Sequence, residues 1–338
     1  MKEKVYTMDD IARIVGVSKT TISRYLKGEL KYMSKETAKK IEDTVKKLNY
    51  RPNKTAQSLK LKNTGIIGFS VSDIGNPFFS PAIKGIQKEA RKSGYQLLIA
   101  DSNNSVEIEN KNLMAFIDNR VDGIIINSVG KNKKSIKSLI KNYNKPVVLF
   151  DRVYDELFCD IVTNNNFEAA MELLEKISEF GYEKIIFLSK PTKEISTRTD
   201  REKAVNIFSE NNGIRLEKII LKEEKIISFR KKIREIVDIS IENQEKICFF
   251  ALNEEILEEL ILSFRHSGIS ITKNIGIISF SNEKLAELIT PGITCADQEP
   301  YLMGIESFKT ILNRINNSEG KFEHKKINCR IYIKNSTI

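Results

Sequence analysis

A chain of 338 residues is longer than one hydrophobic core normally serves, so two or more domains are expected. With 41% hydrophobic residues, four scattered cysteines, two histidines and no apolar run of bilayer length, the composition excludes a helical membrane protein, a disulfide scaffold and a Cys/His metal centre. The net charge of +10 is concentrated: residues 1–62 hold 16 Lys and Arg against 7 Asp and Glu, whereas the other 276 hold 39 against 38.

That basic segment is the footprint of a polyanion binder, and it is patterned as a charged tail would not be. Its start, MKEKVYTMDD, has no apolar stretch of the signal-peptide kind, which with reduced, scattered thiols predicts a cytoplasmic protein. Thr7 can cap a first helix, with Asp10 three residues on as in a capping box; Ile11, Ala12 and Val15 make its apolar face and Gly16 ends it. Ser18 caps a second helix opened by Lys19, Thr20 and Thr21, with Ile22, Tyr25 and Leu26 at helical spacing. Ser34 caps a third, in which Ala38, Ile41, Val45 and Leu48 repeat every three or four residues. Two short helices around the turn at Gly16-Val17-Ser18 form a helix-turn-helix, whose second helix enters the DNA major groove. The hydrogen-bonding residues Lys19, Thr20, Thr21, Ser23 and Arg24 then face bases and phosphates. The stretch NYRPNKTAQSLK, Asn49 to Lys60, can form only about two turns of helix after Pro52 and a capping Asn53. It would carry an exposed Leu59, the kind of apolar wedge that unstacks a base step in the minor groove.

From Gly65 onward, apolar runs alternate with amphipathic stretches. GIIGFSV, YQLLIA, VDGIIIN, KPVVLF, EKIIFLS, KICFFAL and NIGIISF read as parallel strands buried on both faces. FSPAIKGIQKEARKSG and EIENKNLMAFIDN read as the helices between them. The pattern is a doubly wound α/β fold with more strands than one standard sheet holds, hence two lobes with a ligand site at the carboxyl ends of the strands. No P-loop or dinucleotide fingerprint occurs, and neither His266 nor His324 lies near a Ser or Cys motif, so no enzyme activity and no cofactor are expected.

The sequence resembles the lactose-repressor/purine-repressor family of bacterial regulators. The likeness is carried in the head by TMDDIARIVGVSKTTISRYLKG, MSKETAKKIEDTVKKLNYRPN and AQSL, and in the body by IIGFSVSDIGNPFFSPAIKGI, RVDGIIIN, PVVLFDR, TRTDR and TPGITCADQEPYLMG. The resemblance implies an N-terminal all-α helix-turn-helix head over residues 1–52, a hinge helix and linker over 53–63, and an α/β core of two Rossmann-like, periplasmic-binding-protein-like lobes over 64–338. The expected lobes are about 64–162 plus 292–322, and about 163–291 plus 323–338. It implies a repressor that binds a pseudo-palindromic double-stranded operator as a homodimer, or a tetramer, and answers to a small sugar or sugar acid between the lobes. A protein corepressor acting on the core is the alternative, and a sugar-processing enzyme a remoter one.

In the head, the resemblance and the helix pattern together assign DNA contacts to Thr7, Ser18, Lys19, Thr20, Thr21, Ser23, Arg24, Asn53, Ala56 and Leu59. Lys19 and Thr20 match variable base-reading positions, Arg24 an invariant one and Leu59 the hinge wedge. In the core, strand ends supply Asp73, Asn76, Phe78, Asn127, Asp151 and Arg152 from one lobe, and Arg198, Arg201, Asn253 and Ser281 from the other. Asn127 and Arg201 match positions where the family holds a ligand hydroxyl or carboxylate. Bland readings stand beside these: Asp73 as a helix cap, Phe78 as core, Arg152 or Arg198 and Arg201 paired with carboxylates. The family usually reads GFDD where this chain reads SFSN, Ser279 to Asn282, so Ser281 replaces a sugar-gripping Asp; likewise Lys27 replaces an Asn. An acid lost beside Arg198 and Arg201 favours an anionic, monosaccharide-sized effector. That agrees with a weaker resemblance to regulators of ketodeoxygluconate and other hexuronate catabolism.

Overall fold

A computed structural model of the chain describes residues 6–50, 63–222 and 225–337. They form two compact units that divide between Thr64 and Gly65. In the first unit, helices α1 (Met8–Val15), α2 (Lys19–Leu26) and α3 (Lys35–Lys47) are joined by short turns. Local chemistry sets each end. Thr7 and Asp10 complete a reciprocal capping box, Gly16 closes α1 at φ 78°, where a side chain would be strained, and Ser18 and Ser34 cap α2 and α3. Ile11, Ala12, Ile22, Ile41 and Tyr50 are buried together, with Val45 and Leu48 packed around them. Ala38 stays outside that cluster, and Tyr50, after α3, is part of it.

The second unit begins with β1 (Ile66–Val71), β2 (Gln96–Asp101), β3 (Gly123–Ile126), β4 (Val147–Phe150) and β5 (Asp160–Asn164), connected by α4 (Phe79–Lys92), α5 (Val106–Asp118) and α6 (Lys133–Tyr143). There follow α7 (Asn166–Ser178), β6 (Lys184–Ser189), α8 (Ser196–Asn212), β7 (Arg215–Ile220), α9 (Ile226–Glu242), β8 (Ile247–Ala251), α10 (Glu254–Ser267), β9 (Ile275–Phe280), α11 (Glu283–Leu288) and β10 (Thr294–Asp297). The chain ends with α12 (Pro300–Asn316), β11 (His324–Ile327) and β12 (Arg330–Tyr332). One sheet has the order β11-β5-β4-β3-β1-β2 and the other β12-β10-β9-β8-β6-β7. Pairing is parallel except for β12 against β10. The central strands GIII, VVLF and ICFFA are buried at every position, because helices cover both faces. No helix among the described residues is long and apolar enough to cross a membrane.

Two expectations need correction. YQLLIA is not buried on both faces: β2 is an edge strand, with Gln96 and Leu98 exposed. The lobe segments also differ from those expected. Residues 163–164 and β11 belong to the first sheet, and β10 belongs to the second. The first lobe is therefore built from 65–164 and 300–327, and the second from 166–297 and 330–337. The crossings were misplaced because β10 and β11 are four residues each and carry no apolar run that marks them as strands.

The chain passes between lobes three times, at 164–166, 297–300 and 327–330, and the three passes are bonded together. Asn164, 3% exposed, donates its side-chain amide to the carbonyls of Gln298 (2.8 Å) and Ile327 (3.1 Å) and accepts from the Gln298 amide (3.2 Å). Cys329 N–H donates to Asn165 Oδ1 at 2.8 Å. After the second pass, α12 seats against α4 through Gly85 and Gly304; a Cβ on either would collide with the carbonyl oxygen of Tyr301 or Ala82.

Candidate functional sites: a DNA-reading helix and an interlobe cleft

In the first unit, three of the expected DNA-contacting hydroxyls are spent locally. Thr7 Oγ1 donates to Asp10 Oδ2 and accepts from Asp10 N–H, Ser18 Oγ accepts from Thr21 N–H, and the Ser18 and Thr21 hydroxyls bond each other at 2.9 Å. Thr20 and Arg24 stand exposed on α2, with Ser23 partly so. Lys19 Nζ meets Asp9 at 2.6 Å, but both side chains are more than half exposed, so the pair is weak and open to exchange for a phosphate. Arg24 lies 4.7 Å from the ring centroid of Tyr32, and Lys31 lies 4.9 Å from the same ring. Tyr32, an exposed aromatic between cations, is a member of this surface that the helix pattern did not reveal. Asn53, Ala56 and Leu59, and the hinge helix expected there, lie outside the described residues.

In the second unit a cleft of about 530 Å³ opens between the lobes, at the carboxyl ends of the strands. Nine of the ten residues expected there line it: Asn76, Phe78, Asn127, Asp151 and Arg152 from the first lobe, and Arg198, Arg201, Asn253 and Ser281 from the second. Asp73 does not. Its carboxylate accepts from Gly75 N–H at 2.9 Å and from the Asn104 amide at 3.4 Å, which spends it on the shape of the β1–α4 loop. It caps no helix either, since Phe78 precedes α4 without a side-chain cap.

The first-lobe floor is made by Asn127 and Asp151, which follow β3 and β4. Asn127 is fully buried and donates to the Phe150 carbonyl (3.1 Å) and Asp151 Oδ2 (3.3 Å). Asn127 Oδ1 and Asp151 Oδ1 are buried acceptors without a hydrogen-bond partner among the described residues. Such atoms call for donors from elsewhere. Asp151 holds φ at +67°, an uncommon conformation for a side-chain-bearing residue and one that concentrates at ligand sites. Burial pushes its carboxyl above the usual range, against the pull of Arg152 and Arg201. Arg152 donates to the Ser128 carbonyl at 2.8 Å and not to a carboxylate across the lobes.

The opposite wall is cationic. α8 places Arg198 and Arg201 one turn apart. Burial, and then Arg152, pull Arg198 down to about 10; burial pulls Arg201 down to about 10, against Asp151. Arg198 donates to the Pro191 carbonyl at 2.9 Å. Arg201 is only 3% exposed and lies over the Phe280 ring, 3.7 Å from its centroid. Its neighbours Asp200 and Glu202 do not hold it: Glu202 pairs with Lys218, and Arg201 bonds Asn166 and the Leu252 carbonyl. Ser281 Oγ meets Ser279 Oγ at 2.7 Å, and Asn253 caps α10 through Ile256 N–H. Other acids of the lining are occupied or peripheral. Asp297 accepts from the Glu283 and Glu299 N–H groups, Glu254 accepts from Asn282 N–H, and Glu258 is exposed. Asn166, Asn282, Asp297 and Gln298 are parts of this region that strand-end reasoning missed. Asp297 ends β10, the short strand that carries no apolar signal, and Gln298 follows it.

Residues 7–53 match the family described as "Bacterial regulatory proteins, lacI family", and residues 67–319 match the "Periplasmic binding protein domain". The chain is similar to the HTH-type transcriptional regulator KdgR of Bacillus subtilis (strain 168), with 31% identity over 339 residues that span 98% of this chain and 97% of that protein. In fold it is similar to the lac repressor dimer bound to operator and the anti-inducer ONPF (TM-score 0.84, 19% identity, 99% of this chain and 100% of that one). It is also similar to a LacI family transcriptional regulator from Enterococcus faecium with bound ribose (TM-score 0.66, 24% identity, 80% of this chain and 98% of that one). The chain belongs to the lacI family of bacterial regulatory proteins, and it is a DNA-binding transcriptional regulator.

Proposed function

We propose that this regulator is a repressor whose grip on DNA is set by a monosaccharide-sized sugar acid held in the interlobe cleft. The observation that carries the reading is the group of three guanidiniums, Arg152, Arg198 and Arg201, that lines the cleft around Asp151. Glu109, Asp73 and Glu255 act on Arg152 or Arg198, and Glu254, Glu258 and Asp297 belong to the lining, as does Lys284. None of these acids hydrogen-bonds the three arginines among the described residues; an anion can take that place, and an Arg–carboxylate pair is the strongest polar contact available to it. The orphaned oxygens of Asn127 and Asp151 face the same space and accept from ligand hydroxyls. A polyol with one carboxylate satisfies both walls. Ser281, where a carboxylate would compete for the arginines, agrees with this. The Enterococcus faecium protein has bound ribose, a neutral monosaccharide, which supports the size of the proposed ligand and not its charge.

The DNA half of the reading places Thr20, Ser23 and Lys19 of α2 against base edges and Arg24 on the backbone, with Thr7, Ser18 and Thr21 holding the helix ends. One eight-residue helix reads too few base pairs for specificity, so two copies acting on a pseudo-palindrome supply the rest. Asn53, Ala56 and Leu59 would form the minor-groove element that completes each half-site. This assembly works on the bacterial nucleoid. Calorimetric titration of D-glucuronate, D-galacturonate and D-gluconate against D-glucose and D-galactose tests the ligand class. Tighter binding of a neutral sugar than of every acid would refute it.

A further inference from the structure

Arg201 is a buried cation with an unusual partner. A guanidinium removed from water is normally matched by a carboxylate, because an unpaired buried charge is costly. Here Nε and Nη2 both donate to one neutral oxygen, Asn166 Oδ1, at 3.0 and 2.7 Å, and Nη1 donates to the Leu252 carbonyl at 2.7 Å. The orientation of the Asn166 amide is dictated by chemistry, since its NH2 end cannot accept from a guanidinium. No carboxylate among the described residues hydrogen-bonds Arg201; Asp151 and Asp200 act on it through space. Asn166 is itself 2% exposed and is the first residue of α7, directly after the first interlobe pass. Its NH2 reaches the Asn164 carbonyl at 3.4 Å.

We propose that Asn166 is the residue that determines the charge of the ligand. It fixes the plane of the Arg201 guanidinium as a carboxylate would, but brings no charge of its own, so Asp151 and Asp200 offset the cation only through space. A directly bonded counter-charge can then arrive with the ligand. A carboxylate at 166 would make the same two bonds, supply the counter-ion internally and turn the cleft toward neutral sugars. The proposal rests on reading the cleft as a sugar-acid site.

The test is a comparison of the full-length parent with Asn166→Asp and Asn166→Ala. Melting temperature is measured without ligand, and affinity by calorimetry for D-glucuronate, D-galacturonate and D-gluconate beside D-glucose and D-galactose. Asn166→Asp is nearly isosteric and places an acid at a helix N-terminus, where acids are favoured. It is expected to melt above the parent without ligand. It is also expected to lose about 10-fold or more in affinity for the best-bound acid while holding its neutral counterpart within about 3-fold. Asn166→Ala removes the orienting acceptor and is expected to melt below the parent and to weaken acid and neutral sugar alike. Equal losses of acid and neutral sugar in Asn166→Asp, or acid affinity unchanged there, would overturn the proposal, as would an Asn166→Asp protein that melts at or below Asn166→Ala or does not fold. If the parent binds none of the five probes, the sugar-acid reading of the cleft fails. The ligand-free order of melting, Asp above parent above Ala, still decides whether Asn166 holds a cation without a directly bonded counter-charge.

Discussion

Arg201→Ala separates ligand charge from ligand shape. A guanidinium has five N–H donors, and three of them are committed to Asn166 and Leu252. Two remain for a ligand, one on each terminal nitrogen. A hydrogen bond between charged groups contributes about 1.5–3 kcal/mol and a neutral one about 1 kcal/mol. Two charge-assisted bonds to a carboxylate, which are not fully additive, are then worth about 2–4 kcal/mol, or roughly 30- to 1,000-fold in affinity. For a neutral sugar that offers a hydroxyl at the same place, the loss is nearer 5-fold. The expected signature is thus a collapse of acid-over-neutral selectivity by about 10-fold or more, beyond any common loss of affinity. Stability should fall as well, because the Asn166 oxygen and the Leu252 carbonyl are left buried without donors, at about 1–3 kcal/mol each, offset by removal of a buried cation. Calorimetry on parent and variant with each acid and its neutral counterpart reads the ratio directly. If acid and neutral sugar weaken by the same factor, Arg201 is not the charge-reading group and the cationic wall has been misassigned.

Other outcomes follow from the same geometry. Arg24→Ala should weaken binding to all duplexes and flatten the salt dependence by about one phosphate, whereas Thr20→Ala should mainly relax base preference; retardation of specific and scrambled duplexes at several salt concentrations distinguishes them. Asn164→Ala cuts the bonds among the three interlobe passes; Asn164 itself lies outside the cleft lining, and its partner Gln298 is the one lining residue it bonds. The variant should keep ligand affinity within about 3-fold but lower the coupling between ligand and a duplex selected by the parent by about 0.5–2 kcal/mol, measured as the change in duplex affinity on ligand saturation. Glu109 is fully buried and accepts from Ser128, Val129 and Asn132, and burial raises its pKa. A raised folded-state pKa means that its contribution to stability is greatest below its unfolded value and is lost as pH rises. The stability of the parent relative to Glu109→Gln should therefore increase as pH falls from 7 toward 4.5; denaturant melts showing a flat or opposite trend would contradict this.

The parts of this protein that sequence revealed are those written in local or periodic code. The helix ends of the head were visible because Thr7, Gly16, Ser18 and Ser34 each act within a few residues of themselves. The central strands were visible because two-sided burial demands unbroken apolar runs. β5 and β10 hid because polar residues take half or more of their buried positions and are satisfied at long range. Arg314 reaches Asp160 at 2.7 and 2.9 Å, and Thr337 reaches Thr294 at 2.6 Å, contacts no window of sequence displays. The edge strand β2 misled in the opposite sense, as its apolar run promised a burial that an edge does not have. The strand-end rule located nine cleft residues because carboxyl ends of parallel strands converge whatever their side chains. It failed at Asp73, where an Asx turn two residues past β1 spends the carboxylate. It could not find Asn166, whose significance lies in a bond to a residue 35 positions away.

For a ligand to move this molecule, it must bind two arrangements of the lobes unequally, and the shift can be no larger than that difference. The run Thr163-Asn164-Asn165-Asn166 shows where the difference can be felt. Thr163 donates to the Asp151 carbonyl at 2.7 Å, behind the first-lobe floor of the cleft. Asn164 binds the second and third passes, Asn165 binds the third, and Asn166 holds Arg201 on the second-lobe wall. Four consecutive residues thus touch both walls of the cleft and all three passes that link the lobes. A ligand that bridges Asp151 and Arg201 pulls on the two ends of this run, and the bonds between join those passes, so any change of angle between the lobes must strain them. By reciprocity, an operator that fixes the lobe angle must bias the same bonds and change ligand affinity by the same factor. Inducer and corepressor then differ only in which angle satisfies the floor and the wall together.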